Sequence, residues 1–175
     1  MKAVSTINNI NSDKTNAMEQ LQITEIKLNG DGTAFVAYKK VGKWFSKEIK
    51  FNPTEQVTED FKTKFQLTKY GFLGCMPLLM EDQDRIITNS LKFSYEGDFL
   101  DTVLYSVKYY FAQDSKEVID ISTPKLPVYK EGRENIFTVA GKHVETIHEV
   151  IKAAKAYING ETRTKQMKLI VNNEE

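Results

Sequence analysis

The sequence predicts an α+β fold: an antiparallel sheet of about six strands in the order βββα-βββα, with the helices packed on one face. Short runs of alternating apolar and polar residues recur between turn residues, and two longer segments carry apolar residues at helical spacing. A chain of 175 residues is long enough to bury one core without disulfide bonds. We therefore predict a single domain over residues 18–175, after a flexible tail at residues 1–17 that is rich in Asn, Ser and Thr.

Three strands are predicted in the first third of the chain, at residues 21–28, 33–38 and 44–51. The Asn-Gly and Asp-Gly pairs at residues 29–32 supply the positive φ angles that a tight hairpin needs. The first helix is expected to open at Thr54, after Pro53, and to end near Gly71. Its apolar stripe consists of Val57, Phe61 and Phe65.

The second half repeats this order. Alternation predicts strands at residues 86–95, 100–111 and 117–121, and residues 123–137 are expected to be irregular because Pro124 and Pro127 interrupt the pattern. The last helix is predicted over residues 140–159, with Gly160 as its stop. Its apolar stripe consists of Ala140, Val144, Ile147, Ile151, Ala154 and Ile158.

Composition and charge exclude several classes of protein. The 24 basic and 24 acidic residues give a formal net charge of zero, which argues against a nucleic-acid coat or a polybasic membrane anchor. The single cysteine, Cys75, suits a reducing compartment. No apolar run is long enough to cross a bilayer and no secretory leader is present, so a cytoplasmic location and no membrane partner are expected. The uncharged stretch 71–80 is interpreted as a buried connection or a contact surface.

No enzyme is predicted, because nucleotide-loop, zinc-protease, nucleophile-elbow and EF-hand motifs are all missing. No catalytic residue, metal site or cofactor is therefore proposed from the sequence. The two histidines, His143 and His148, lie five residues apart and point about 140° apart around a helix, so they do not grip one metal. Cys75 has no neighbouring base and is interpreted as a packed thiol, and His143 as a core or boundary residue.

Two segments have the composition of ligand-binding sites. Residues 38–47 interleave aromatic and basic side chains, including Lys43 and Trp44, which suits stacked bases and phosphates; the alternative is a hairpin whose lysines guard a sheet edge. In the long segment 123–137, Tyr129 with Lys130 and Arg133 suits a planar anion. The alternative for that segment is a mobile surface loop.

A homo-oligomer is expected because the strand 100–111 carries aromatic residues on both of its faces, including Tyr109 and Tyr110. One face packs the helices, and the other needs a cover, which a second subunit supplies more often than a ligand. Residues 163–171 are a candidate edge strand for this sheet or for a partner chain.

The chain resembles small early-region proteins of unknown function from tailed phages and prophages. The resemblance rests on scattered positions across residues 18–170: the turn at 29–32, Asp60-Phe61, a strand ending at Thr123-Pro124, and the final helix segment 153–160 followed by Gln166. It carries no catalytic residues. It implies an accessory protein in the host cell cytoplasm that acts by stoichiometric binding.

Three binding hypotheses follow. The first is sequestration of an anionic, nucleotide-type ligand to counter host defence, with Tyr129, Lys130 and Arg133 as contacts. The second is an accessory protein of replication or recombination that binds single-stranded DNA through Lys39, Lys40, Lys43 and Trp44. The third is an inhibitor that binds a host protein through residues 71–80.

The two ligand hypotheses predict different titrations. Calorimetry with linear and cyclic nucleotides should give heat if the first is correct, and no heat at high concentration argues against it.

Since Trp44 is the single tryptophan, oligonucleotides should quench its fluorescence if the second is correct, and the quenching should weaken steeply with added salt. An unchanged spectrum at low salt contradicts the second hypothesis.

Overall fold

The computed structural model describes residues 20–42, 45–112, 116–128 and 138–161. The strands in these ranges are β1 (Gln20–Leu28), β2 (Ala34–Val41), β3 (Ser46–Phe51), β4 (Ile86–Glu96), β5 (Phe99–Tyr110), β6 (Val118–Ser122) and β7 (Leu126–Pro127). The helices are α1 (Glu59–Leu67), α2 (Lys69–Cys75) and α3 (Gly141–Ile158), with a 3₁₀ helix at Pro77–Arg85. The predicted tail, residues 1–17, lies outside the described residues.

The sheet is antiparallel throughout, with the order β3-β2-β1-β4-β5-β6, and β7 pairs with β5 beyond the end of β6. Three helices pack against it, so the predicted α+β class is confirmed. Segment 123–137 is predicted to be irregular throughout, but Leu126 and Pro127 form β7, because the short β6 leaves Thr102 and Val103 near the start of β5 without a neighbour on that side.

The core lies between the helices and one face of the sheet. Neighbouring strands place apolar residues opposite one another on this face, as in the pairs Ile26–Leu91 and Phe93–Val103, and all four side chains are buried. The other face carries opposite charges on adjacent strands. The Lys92 Nζ atom lies 3.7 Å from the Glu25 Oε1 atom, and such cross-strand pairs stabilise a solvated sheet surface.

The helix α1 begins at Glu59, so the predicted start at Thr54 is wrong. The reason is a backbone hydrogen bond from Val57 to the Gly32 carbonyl, 3.0 Å long, which holds Val57 against the β1–β2 turn. The hydroxyl of Thr58 then caps the helix by accepting from the Phe61 N–H at 3.3 Å. Val57 is buried as expected, but as a neighbour of the turn rather than as part of the helical stripe.

The helix also ends earlier than predicted, at Leu67, and α2 follows it directly. The Thr68 hydroxyl donates to the Phe65 carbonyl at 2.6 Å and closes the last turn of α1. The neighbouring Gln66 side chain contacts β4: its amide oxygen accepts from the Thr88 N–H, and its amide nitrogen donates to the Thr88 carbonyl. This pair of bonds fixes the junction of α1 and α2 at the bulge between Thr88 and Ser90.

The helix α3 covers β1 and α1 and is fixed by Tyr157, which the predicted stripe omitted. Its ring contacts Phe51 and Phe61 at centroid distances of 5.9 and 5.8 Å. Its hydroxyl donates to the Glu55 carbonyl at 2.6 Å. One buried tyrosine therefore joins β3, α1 and the segment between them to the end of α3.

The helix α2 approaches the sheet closely at Gly71. A Cβ atom at this position would lie 2.4 Å from the Tyr105 hydroxyl oxygen and 2.9 Å from the ring carbon that bears it. Tyr105 is fully buried, and its hydroxyl has no hydrogen-bond partner among the described residues. Burial raises the pKa of this phenol far above its ordinary range, so the group stays protonated.

We expect Gly71→Ala to destabilise the protein by about 1–3 kcal/mol, because the added methyl group overpacks the Tyr105 side chain. In an open helix the same change is stabilising by about 0.5–1 kcal/mol, so the sign of the effect tests the contact. Urea unfolding measures it. A companion variant, Tyr105→Phe, removes the clashing oxygen, and in that background Gly71→Ala should cost less. Additive effects of the two changes would contradict this description.

Candidate functional site

A groove lies where the end of α1, α2, the 3₁₀ helix and the start of α3 meet. Its cavity volume is about 440 Å³, within the range of roughly 300–1,000 Å³ that binding pockets occupy. The side chains and backbone that line it come from Leu67, Tyr70, Gly74, Met80, Lys142, His143 and Thr146. We call this surface the helical groove.

The close approach of α2 to the sheet decides which of its residues line the groove. Phe72 and Leu73 are fully buried against the core. Tyr70 and Gly74 are four residues apart and therefore lie on one face of the helix, which is the face that lines the groove. On α3, Lys142 and Thr146 are related by the same spacing. The groove is thus built by helical periodicity on two separate elements.

Three of the residues that line the groove, Leu67, Tyr70 and Met80, are apolar side chains exposed to solvent. Leu78 is 95% exposed, and Met80, on the same 3₁₀ helix, is 44% exposed. Leu67, Tyr70 and Met76 are also exposed. Scattered exposed apolar residues are ordinary, but a group of them around a concavity is typical of a surface that contacts another molecule.

Gly74 contributes to the groove by its lack of a side chain. A Cβ atom there would lie 3.4 Å from the His143 Nε2 atom, an ordinary van der Waals contact. The helix α2 and the imidazole of His143 are therefore close neighbours. Because Gly74 on α2 and His143 on α3 both line the groove, a longer side chain at position 74 would extend into it.

The polar edge of the groove is positively charged. Burial, and then the charge of Lys142, lowers the pKa of His143, so this imidazole is neutral at neutral pH. Lys142 itself supplies a positive charge within the first turn of α3, which contains no acidic residue. Nearby, the Lys69 ammonium lies 5.6 Å from the centre of the Tyr70 ring and donates to the Gln83 carbonyl at 2.9 Å.

The Cys75 thiol is half-buried, and burial raises its pKa. A raised pKa lowers the thiolate fraction at neutral pH, and the thiolate is the nucleophilic form. This agrees with the interpretation of Cys75 as a packed thiol.

A second cavity of about 440 Å³ lies between the 3₁₀ helix and the end of β5, lined by Glu81, Asp82, Asp84, Arg85, Phe111 and Ala112. Its polar groups already bond one another. Arg85 lies 3.1 Å from the Asp82 carboxylate and donates to the Phe111 carbonyl at 3.2 Å, while the Tyr109 hydroxyl donates to Asp82. Within the described ranges, no group of three His, Cys, Asp or Glu residues could hold a metal ion.

The site residues predicted from the sequence are Lys43, Trp44, Tyr129, Lys130 and Arg133, and all five lie outside the described residues. The nucleotide and single-stranded DNA hypotheses therefore stay predictions. Of the neighbouring basic residues, Lys39 lies opposite Glu48 and Lys40 lies opposite Lys47 on the adjacent strand.

Stretch 71–80 is interpreted from the sequence as a buried connection or a contact surface, and the structure buries part of it and exposes the rest. Phe72 and Leu73 are buried, whereas Met76, Leu78 and Met80 are exposed. His143 is a boundary residue, as expected. Sequence analysis did not find Leu67, Tyr70 or Lys142, because no local pattern brings α1, α2 and α3 together.

Comparison of the chain with protein families, curated proteins and solved structures finds no match. In the part of the chain that the structure describes, no helix is both long and apolar enough to cross a membrane. The candidate site therefore rests on the geometry of the helical groove.

We expect iodoacetamide to label Cys75 slowly in the folded protein at neutral pH, because its raised pKa leaves less thiolate than an ordinary cysteine has. The rate should keep rising with pH beyond the range in which ordinary thiols level off. Intact-mass spectrometry of timed samples measures it. The same chain unfolded in urea is the control, and equal rates in both states at neutral pH would contradict the shift.

Proposed function

We propose that this protein acts by stoichiometric binding, without catalysis, and that the helical groove is its contact surface for a partner protein. The observation that carries the proposal is the exposed apolar lining of the groove, Leu67, Tyr70 and Met80, with the exposed Leu78 two residues before Met80 on the 3₁₀ helix. Tyr and Met are enriched in the cores of protein interfaces, and binding energy concentrates where an apolar anchor fills a pocket. The groove offers such a pocket for an apolar side chain of the partner. Leu78 offers an apolar side chain that the partner can cover.

A protein partner explains more of this surface than a small ligand does. A ligand held in a cavity of about 440 Å³ would contact the lining residues. It would leave unexplained Met76 and Leu78, which do not line the cavity but are exposed within four residues of Met80 along the chain. A partner that spans the groove covers both sets of residues. This favours the third sequence hypothesis, an inhibitor that binds a host protein, over a nucleotide in this groove.

The charge of the groove restricts the chemistry of the partner. Lys142 lies at the polar edge and His143 is neutral there, so an acidic residue beside an apolar anchor is complementary to this edge. A basic partner segment would meet like charge from Lys142 and be rejected. We therefore propose a partner segment in which a large apolar side chain is flanked by Asp or Glu.

The titratable groups that the structure describes near the groove support a function without catalysis. The Cys75 thiol has a raised pKa and is a weak nucleophile at neutral pH. The His143 imidazole faces glycine and its own helix neighbours, with no carboxylate among the residues that line the groove.

Photo-crosslinking tests the proposal. A benzoylphenylalanine at position 78, on the same 3₁₀ helix as Met80, should give one discrete crosslinked product in cells that produce the protein, and the product should survive nuclease treatment. The same group at position 99 is the matched control, because Phe99 is 73% exposed but lies in the β4–β5 hairpin. Equal products from both positions, or none from position 78, would contradict the proposal.

Filling the groove should abolish that crosslink. Gly74→Leu extends a side chain from α2 into the groove beside His143, so the partner's anchor loses its space. Thr63→Leu is the control, because Thr63 is exposed on α1 outside the groove. Circular dichroism and urea unfolding establish that both variants fold. A crosslink that persists at full yield in folded Gly74→Leu would show that the partner does not use the groove.

A further inference from the structure

The two edges of the sheet differ in how they are protected. β3, at one edge, carries three charged residues among six, Lys47, Glu48 and Lys50. Charges of this kind, and lysine in particular, prevent edge strands from pairing with other chains. β6, at the opposite edge, has the sequence Val-Ile-Asp-Ile-Ser with one charge, Asp120. That charge already lies opposite Lys108 on β5. The β6 edge therefore lacks the protection that the β3 edge has.

The backbone groups of β6 that face away from the sheet can be identified from its hydrogen bonds. The Glu117 carbonyl accepts from the Phe111 N–H, and the Thr123 N–H donates to the Tyr105 carbonyl. In an antiparallel ladder the residues that bond the neighbouring strand alternate. Odd-numbered residues of β6 thus face β5, while Val118, Asp120 and Ser122 direct their N–H and C=O groups outward. Among the described residues, β6 pairs with β5 alone.

The side chains of β6 leave apolar surface uncovered at the same edge. Ile119 lies opposite Tyr109 on the helix side of the sheet, yet it is 44% exposed. Phe111, whose ring contacts Tyr109 at 5.7 Å, is exposed too. The core layer therefore continues to the edge of the sheet, where none of the described helices covers it.

We infer that β6 pairs with β6 of a second copy of this chain, in antiparallel orientation, with the two-fold axis at Ile121. In this register Asp120 of each copy lies opposite Ser122 of the other. Both residues direct their backbone groups outward, so each of these two pairings exchanges two N–H···O bonds. The Ser122 hydroxyl lies where it can donate to the Asp120 carboxylate, and Ile121 packs on Ile121 on the helix side.

Other registers are less favourable. Centring the axis on Asp120 sets two aspartates directly opposite each other, and like charges in that position are destabilising. Centring it on Ile119 sets Ile121 opposite Glu117 and leaves Asp120 opposite Val118. A shift by a single residue would place apolar side chains of one copy on the opposite face of the joint sheet from those of the other. Of these registers, the one centred on Ile121 sets Ile121 opposite Ile121 on the helix side and Asp120 opposite Ser122 on the other side.

A dimer of this kind predicts that the full chain sediments with twice the mass of one chain at high concentration. Asp120→Pro should reduce it to one chain, because proline removes an outward N–H from the edge while leaving the bonds to β5 intact. Glu48→Pro is the matched control. Gly42 donates to the Phe45 carbonyl, so the same alternation directs Glu48 outward at the β3 edge, and this variant should remain dimeric. A wild-type chain that is monomeric at every concentration, or a dimeric Asp120→Pro, would overturn the inference.

The register has a test that does not depend on proline being tolerated. Ser122 is exposed, so a charge there leaves the fold intact. Ser122→Lys would place a cation opposite Asp120 of the second copy, twice per dimer, and should tighten the dimer about 2- to 30-fold. Ser122→Asp should weaken it by a similar factor. Sedimentation equilibrium measures both. Equal dissociation constants for the two variants would overturn the proposed register.

Discussion

The position of the helical groove depends on the contact between Gly71 and Tyr105. A helix that buries a side chain at this position would have to stand further from β5, because even a Cβ atom would lie 2.4 Å from the phenol oxygen. The close approach lets Phe72 and Leu73 reach the core. Since helical spacing then fixes the opposite face, Tyr70 and Gly74 are directed away from the sheet, and the groove forms between them and α3. The unpartnered Tyr105 hydroxyl is a cost of about 1–3 kcal/mol that this packing sustains.

The two faces of the sheet differ in what covers them. The helices cover the apolar face across β1, β4 and part of β5, while the other face carries cross-strand pairs such as Glu25–Lys92. The sequence analysis expected this second face to need a cover because β5 carries aromatic residues on both sides. The Glu25–Lys92 pair lies on this outer face, and its cover by a second subunit stays a prediction. Exposed apolar side chains lie around the groove and at β6, and also at Phe45, Ile87 and Phe99.

The strands and α3 were predictable because each depends on a local pattern. Alternation identifies β1 to β6, and apolar spacing identifies α3, although the predicted stripe omits Tyr157, which lies three residues after Ala154. Other features depend on contacts between distant residues. The start of α1 is set by the bond from Val57 to Gly32, and its end by the bonds of Gln66 to Thr88. The groove joins residues from 67 to 146, which no periodicity relates. Its one local indication was the uncharged stretch 71–80.

The two proposed surfaces are compatible because they use different parts of the molecule. A two-fold axis at Ile121 that joins strands edge to edge runs perpendicular to the sheet, so the helix layers of both copies lie on the same side. The dimer then presents two helical grooves in one direction. For a partner that is itself oligomeric, the second contact would be intramolecular, and such linkage raises overall affinity by about 10²–10⁴ without any new contact. Pairing through β6 would therefore raise the overall affinity for such a partner without a change in either groove.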